Sequence, residues 1–260
     1  MYESKYKSVI DNMTWSYSRL TCYDDCKYKW FLKYIKEIQE QPMFYSSYGK
    51  FMHEIIEGYY KGTIGLSDMK IKYLTSFSES VEGARPQKNV VDKYIKAGSL
   101  YLENFKPFPF NTIAVEKRIK FKINSTPFES IVDYIGEADG SLYIIDNKSR
   151  DLKERSKRSI PTKKDIELDD MLKQLYIYSA AVKHEYGVFP SMLCFNCFKS
   201  GVFVKEPFVK NKYEETMLWV NQKIQEIKET DFFNPDLEYF KCNYLCGVKD
   251  ECCYFIGGSL

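Results

Sequence analysis

Three segments in the middle of the chain, TIAVEKRIKFKI, FESIVDYI and SLYIIDNK, alternate apolar and polar residues or run apolar over strand length. Period two over such lengths predicts β-strands. The last two segments meet at Asp139-Gly140, the strongest short signal for a two-residue hairpin loop. Upstream the pattern is helical. Thr14 to Ile38 reads as one helix with Thr14 or Ser16 as its cap, and Pro42 ends that region. A second helix runs from a cap at Ser46 or Ser47 through Tyr60. Gly62 to Asn89 is polar and reads as a loop-rich or short-helical insert, and Val90 to Phe105 as a further helix broken by KPFPFN. Downstream, Asp151–Lys164 reads as a mobile charged loop and Asp165 to Tyr186 as a strong helix. Pro190–Phe198 and Val202–Phe208 form a hairpin around Lys199-Ser200-Gly201, Glu214–Thr230 a last amphipathic helix, and a cysteine-rich tail follows. With no internal repeat and no linker, this order predicts one α/β domain with a helical N-terminal extension.

The first hairpin raises a chemical question. Counting outward from Asp139-Gly140 pairs Ala138 with Ser141 and sets Asp133 across from Asp146, with Lys148 on the same face. Facing side chains lie about 4.5–5.5 Å apart at Cβ. Two carboxylates ~5 Å apart repel by roughly 3 kcal/mol at an effective dielectric of 20. Stability alone gives no reason for that pairing, and a divalent cation between the carboxylates would. The alternative is a register slipped by one residue, which turns one aspartate to solvent.

Composition narrows the setting. The chain has 260 residues, 44% of them hydrophobic, enough for a substantial core. A formal net charge of +2 provides no global basic field, so any nucleic-acid binding must come from a local patch. The N-terminal MYESKYKSVIDNMTW has no apolar signal region and no run reaches membrane-span length, so a soluble cytoplasmic protein is expected. The eight cysteines matter through their clustering. Cys242-x3-Cys246-x5-Cys252, with Cys253 adjacent, is a metal-type cluster lacking a fourth ligand from elsewhere; Cys22 and Cys26 are the non-strand candidates. Four thiolates suit zinc or an iron–sulfur cluster, and spacing does not separate the two. Cys194 and Cys197 sit three apart on a strand, point to opposite faces and read as core or surface thiols. His53, on a helix, would ordinarily be a packed or surface residue. Gln174 and Tyr178 share a helical face. The loop KSRDLKERSKRSIPTKK, including Arg150 and Lys153, holds eight basic residues against two acidic ones; beside a metal site it could grip phosphates.

Together these residues resemble the PD-(D/E)XK nuclease superfamily, and within it the RecB-like branch that includes iron–sulfur exonucleases of the AddB type and CRISPR-associated adaptation nucleases. The similarity runs from WSYSRLTCYDDCKYKWFLKYI to the tail: Cys26 matches the leading cluster cysteine, Gly49 to His53 the Gly-x-x-x-His helix motif, Asp133 the motif aspartate, Asp146-Asn147-Lys148 the Asp-x-Lys strand, and Gln174 with Tyr178 the Gln-x-x-x-Tyr motif. The resemblance implies a restriction-endonuclease-like mixed central sheet flanked by helices, in a single domain over residues 1–260. It implies Mg2+ or Mn2+ held by His53, Asp133, Asp146 and the Asn147 carbonyl, with Lys148 positioning or deprotonating water and Gln174 and Tyr178 orienting DNA. It further implies a [4Fe–4S] cluster on Cys26, Cys242, Cys246 and Cys252 joining residues 1–40 to 231–260, with zinc as the alternative.

The chain departs from the family pattern at Ser130 (usually glycine), Asn147 (usually aromatic), Lys27 (usually proline) and the three-residue spacing of the first tail cysteines, which keeps Cys22 and Cys253 as reserve ligands. The expected activity is a DNA nuclease, an exonuclease on single-stranded or end-containing DNA, with a non-cutting DNA-binding adaptor as the alternative. No Gly-x-x-x-x-Gly-Lys-Ser/Thr loop occurs, so a helicase or recombination partner would be a separate polypeptide.

Overall fold

A computed structural model describes residues 5–255; residues 1–4 and 256–260, the outer ends of the two segments expected to be joined, lie outside it. The chain opens with helices α1 (Lys7–Asp11), α2 (Tyr17–Asp25), α3 (Lys27–Tyr34), α4 (Phe44–Tyr60), α5 (Met69–Ser80) and α6 (Lys88–Glu103). The single helix expected over Thr14–Ile38 is therefore two. Cys26 has extended backbone (φ −165°, ψ 110°), closes α2 and opens α3, and its Sγ accepts the Lys29 N–H at 3.4 Å. Ser16 caps α2, as one of the two expected candidates. The α4 helix starts at Phe44, ahead of Ser46 and Ser47, with Met43 at its cap position. The insert after Gly62 contains a 12-residue helix, α5.

The sheet follows: β1 (Asn111–Ile123), β2 (Thr126–Ala138), β3 (Ser141–Lys148), then helix α7 (Lys163–Tyr186), β4 (Met192–Cys197), β5 (Val202–Pro207) and helix α8 (Lys210–Lys228). Strand order is β1-β2-β3-β4-β5, antiparallel except for the parallel β3–β4 pair bridged by α7. This is the mixed sheet with flanking helices that the family resemblance implies. Both β1–β2 and β2–β3 turns have two residues, Asn124-Ser125 and Asp139-Gly140, and all four have positive φ. That is the type I′ geometry, whose twist matches that of the strands it joins.

Each face of the sheet has its own core. On one side α7 packs over β1 to β4, and Trp15, Tyr23, Trp30, Phe128, Leu175, Phe195 and Ile224 join one buried cluster. On the other, α4, α5 and α6 pack through Phe44, Tyr48, Phe51, Tyr73 and Leu102, with Phe198 from just beyond β4. Cys194 and Cys197 are both fully buried in clusters on different faces and are core thiols.

The segment expected to be a mobile charged loop is held down. Thr162 and Asp165 form a capping box at the start of α7, and the same Asp165 carboxylate accepts the Ser156 N–H and hydroxyl, each at 2.7 Å. These bonds hold its pKa well below the usual carboxylate range. Arg155 reaches Asp169 (2.7 Å) and Glu206 (2.8 Å), and Leu152 is buried. Asp165→Ala should therefore release this segment: limited trypsinolysis is expected to cut after Arg155, Lys157 or Arg158 faster than in wild type, while near-ultraviolet circular dichroism of the core stays unchanged.

Candidate active site

The site forms where β2 and β3 part. Their ladder runs from Ala138↔Ser141 to Tyr134↔Ile145, the register counted from the turn. One step further, Asp133 and Asp146 are next in the same count, and backbone pairing has stopped. The Asn147 N–H turns instead to Asp133 Oδ2 at 2.7 Å. Beyond it the exposed edge of β2 is taken by Trp15, whose N–H donates to the Pro127 carbonyl (2.9 Å) and whose carbonyl accepts from Glu129 N–H (2.8 Å). The strands thus diverge around the aspartates, leaving an open cleft of about 620 Å³ walled by α4, β1, β2, β3 and α7.

A third carboxylate enters from β1. Glu116 lies between the pairs Val115↔Tyr134 and Lys117↔Val132, opposite Asp133. Its φ of 49° is rare for a side-chain-bearing residue in a strand, a strained conformation of the kind that collects at functional sites. Glu116 escaped the sequence reading although the signal was present. Counting outward from Asn124-Ser125, as from Asp139-Gly140, sets Glu116 against Asp133; Asn-Ser is simply a weaker turn signal than Asp-Gly.

Helix α4 brings His53 to the same place. Its Nδ1 lies 3.4 Å from Asp133 Oδ2 and 3.9 Å from Glu116 Oε1, and its Nε2 lies 2.8 Å from the Asn147 carbonyl oxygen. Ligand atoms of His53, Glu116 and Asp133 all fall within 4.8 Å of one another, so they could hold a metal ion. Asp146 adjoins them. It is 2% exposed, and its Oδ2 makes no hydrogen bond of acceptable geometry, although the Lys148 ammonium is 2.7 Å away. A buried carboxylate oxygen with spare capacity, beside a histidine and two further carboxylates, is a donor set suited to a divalent cation.

The remaining predicted residues form a buried relay. Gln174 Nε2 donates to Asp146 Oδ1 (2.7 Å) and to Tyr178 Oη (2.8 Å), while Lys148 Nζ donates to Gln174 Oε1 (2.7 Å). Gln174 and Tyr178 are buried, and these bonds are made to the site's own residues. Arg150 is exposed and pairs with Glu167 at 2.7 Å; Lys153 is exposed on the loop.

Electrostatics reflects the crowding. Burial, reinforced by Asp146 and Glu116, raises Asp133 from 3.8 to about 7, only partly offset by His53 and the Asn147 N–H. Burial pulls the His53 pKa down, but Glu116, Asp133 and Asp146 outweigh it and raise it from 6.5 to about 9. Burial lifts the Tyr178 phenol well above its usual range.

A second constellation lies where the tail meets the start of α3. Cys26, Cys242, Cys246 and Cys252 line one cavity of about 120 Å³, closed by Leu32, Pro235, Leu245, Val248 and Phe255. Cys22 is buried outside it, and Cys253 is exposed with its Sγ 3.2 Å from Tyr28 Oη. Asp236 N–H donates to Cys26 Sγ (3.3 Å), and the Gln41 N–H to Gly247 carbonyl bond (2.7 Å) ties the tail to the residues after α3. Burial and the neighbouring thiols raise the pKa of both Cys242 and Cys246.

A mixed five-stranded sheet, flanked by helices and carrying this set at the parting of two strands, is a restriction-endonuclease-like α/β architecture. The profile of the PD-(D/E)XK nuclease superfamily matches residues 14–253, and the chain belongs to that superfamily. Among solved structures, a provisionally named exonuclease from Eubacterium rectale is 12% identical with a TM-score of 0.51, covering 98% of this chain and 93% of its own. At that identity the likeness speaks for the fold. A second structure, SSO0001, is 15% identical over 80% of this chain and 97% of its own, with a TM-score of 0.34. No curated protein matches the chain.

The two shifted groups give the site a defined pH response. In metal-free protein, folded Asp133 keeps its proton between about 4 and 7 and folded His53 between 6.5 and about 9, where the unfolded chain has lost them. Both groups therefore lower metal-free stability as pH rises through those windows, His53 by losing a favourable interaction and Asp133 by carrying a buried charge. A cation competes with the same protons. The rise in melting temperature caused by saturating Mn2+ should be larger at pH 8.5 than at pH 6, measured by scanning fluorimetry, and Asp133→Asn should abolish it.

Proposed function

We propose that this protein is a divalent-metal-dependent DNA nuclease of the RecB-like iron–sulfur branch, acting as an exonuclease on single-stranded or end-containing DNA. The observation that carries the reading is the convergence of His53, Glu116 and Asp133 beside the Asp146–Lys148–Gln174 relay. His53, Asp133, Asp146 and the Asn147 carbonyl, now with Glu116, would hold Mg2+ or Mn2+. Such an ion, when bound, polarises the scissile phosphate and lowers the pKa of water. Lys148 sits beside Asp146 to position the attacking water and to steady charge developing on the phosphate. Gln174 fixes both Lys148 and Asp146, and Tyr178 fixes Gln174, so their contribution to holding DNA runs through the site they brace. Arg150 and Lys153 lie on the loop where a phosphate backbone leaving Lys148 would pass.

The exonuclease assignment rests on the resemblance to the RecB-like branch, whose members of this build often thread a strand, and accords with the name of the Eubacterium rectale neighbour. A non-cutting adaptor would have no use for this full set of carboxylates, histidine and lysine. A helicase or recombination partner would be a separate chain. A single domain in the cytoplasm accords with one continuous sheet and with the finding that, among the described residues, no helix is long and apolar enough to cross a membrane.

Cys26, Cys242, Cys246 and Cys252 would hold a [4Fe–4S] cluster clasping α3 to the tail. Tetrahedral zinc on the same four thiolates is the alternative.

End-labelled single-stranded and duplex DNA, incubated without oxygen with Mg2+, Mn2+ or chelator, tests the activity. Metal-dependent cleavage should fall at least about 10²-fold in Lys148→Ala, and the product ladder reports polarity; wild-type protein that binds DNA without cutting it would establish the adaptor instead. Protein purified anaerobically should be brown with about four irons per chain, and Cys242→Ser should lose the colour. Colourless protein with stoichiometric zinc would refute the cluster.

A further inference from the structure

The Asn147 backbone holds two elements of the site at once. Its N–H fixes the Asp133 carboxylate, and its carbonyl oxygen meets His53 Nε2. Its side chain points to the opposite face of the sheet, where an aromatic residue is usual in the family that the sequence resembles. There Asn147 stands beside Asn196, its partner in the parallel β3–β4 ladder. Asn196 Nδ2 donates to Asn147 Oδ1 at 2.7 Å and to Tyr101 Oη, from α6, also at 2.7 Å. Both asparagines are about 95% buried, among the fully buried Ile145, Cys194 and Phe198.

An apolar pair of similar shape would serve this face equally well, since a buried hydrogen-bonded pair contributes little net stability over such a replacement. Two carboxamides locked at 2.7 Å do something an apolar pair does not: they hold the Asn147 side chain, and through its Cα the two flanking peptide groups, one carrying the N–H at Asp133 and the other the carbonyl at His53. We propose that Asn196 is a positioning residue for the metal site, acting through Asn147, with Tyr101 anchoring its outer end to α6. The proposal rests on the nuclease reading only for the identity of the site that is positioned.

Mn2+ binding to chelator-treated protein without DNA, followed by electron paramagnetic resonance, tests it. Groups that orient metal ligands typically change metal affinity by about 10–100-fold when removed. Asn196→Leu should weaken Mn2+ binding by that amount, and Tyr101→Phe by less. The double variant Asn147→Leu/Asn196→Leu should recover the metal-free melting temperature without recovering Mn2+ affinity. A purely structural role would instead lower the melting temperature of Asn196→Leu while Mn2+ affinity stayed within about twofold of wild type, and that outcome overturns the proposal. If Asn196→Leu fails to fold, Asn196→Ala, which removes the donors without added bulk, is compared in its place. Weakened Mn2+ binding in a protein whose wild type does not cut DNA would refute the nuclease reading and leave the positioning role standing. Wild type that shows no saturable Mn2+ binding lost in His53→Ala would overturn both.

Discussion

Three carboxylates brought together at low exposure are the constraint around which the protein is built. Glu116, Asp133 and Asp146 come from three successive strands, and the registers set by two turns place them side by side although their charges repel. Each is answered locally. His53 faces Glu116 and Asp133, the Asn147 N–H takes one oxygen of Asp133, and Lys148 and Gln174 engage Asp146. The answer is incomplete, as the raised Asp133 pKa and the unsatisfied Asp146 oxygen show. Proteins tolerate such residual cost at sites of function and offset it by burial elsewhere. Here the two cores either side of the sheet supply that burial, and they fix α4 and α7 so that His53 and Gln174 arrive from opposite sides.

Much of this was legible in the chain because strand side chains obey a period of two and short turns fix register. The Asp139-Gly140 turn sets Asp133 and Asp146 in register from the sequence alone. Helical spacing put Gln174 and Tyr178 on one face and the family resemblance drew them to the site; the same resemblance singled out Cys26, Cys242, Cys246 and Cys252, which line one cavity. What remained hidden rested on a weak turn signal or on tertiary approach. Glu116 looked like one polar residue among several in β1, and Asn196 like an ordinary strand residue. The break at Cys26 was invisible because its neighbours are ordinary helix formers, and the extended backbone is settled by the tail packed against it. The charged loop looked mobile because composition reports charge and not partners; Arg155 and Asp165 have theirs across 14 and 9 residues.

The two halves of the chain meet through the tail. Cys26 sits at the junction of α2 and α3, and Cys242, Cys246 and Cys252 reach it from beyond α8. The Trp15 bridge to β2 lies on the same N-terminal segment, so whatever steadies that segment also steadies the strand carrying Asp133. The clasp and the site are thus mechanically neighbouring although they share no residue.

The two turns have one further consequence, for the lineage rather than the molecule. Substitutions along β1, β2 and β3 act one side chain at a time, but a single residue inserted or deleted in Asn124-Ser125 or Asp139-Gly140 would shift an entire strand by one place and turn its carboxylate to the opposite face. Length variation is therefore disfavoured in these two connections, whose positive φ also restricts their composition, and it should collect in segments such as Gly62–Ser67 that set no register. The sequence record of this protein's descent would then show silence in gaps across Glu116 to Lys148.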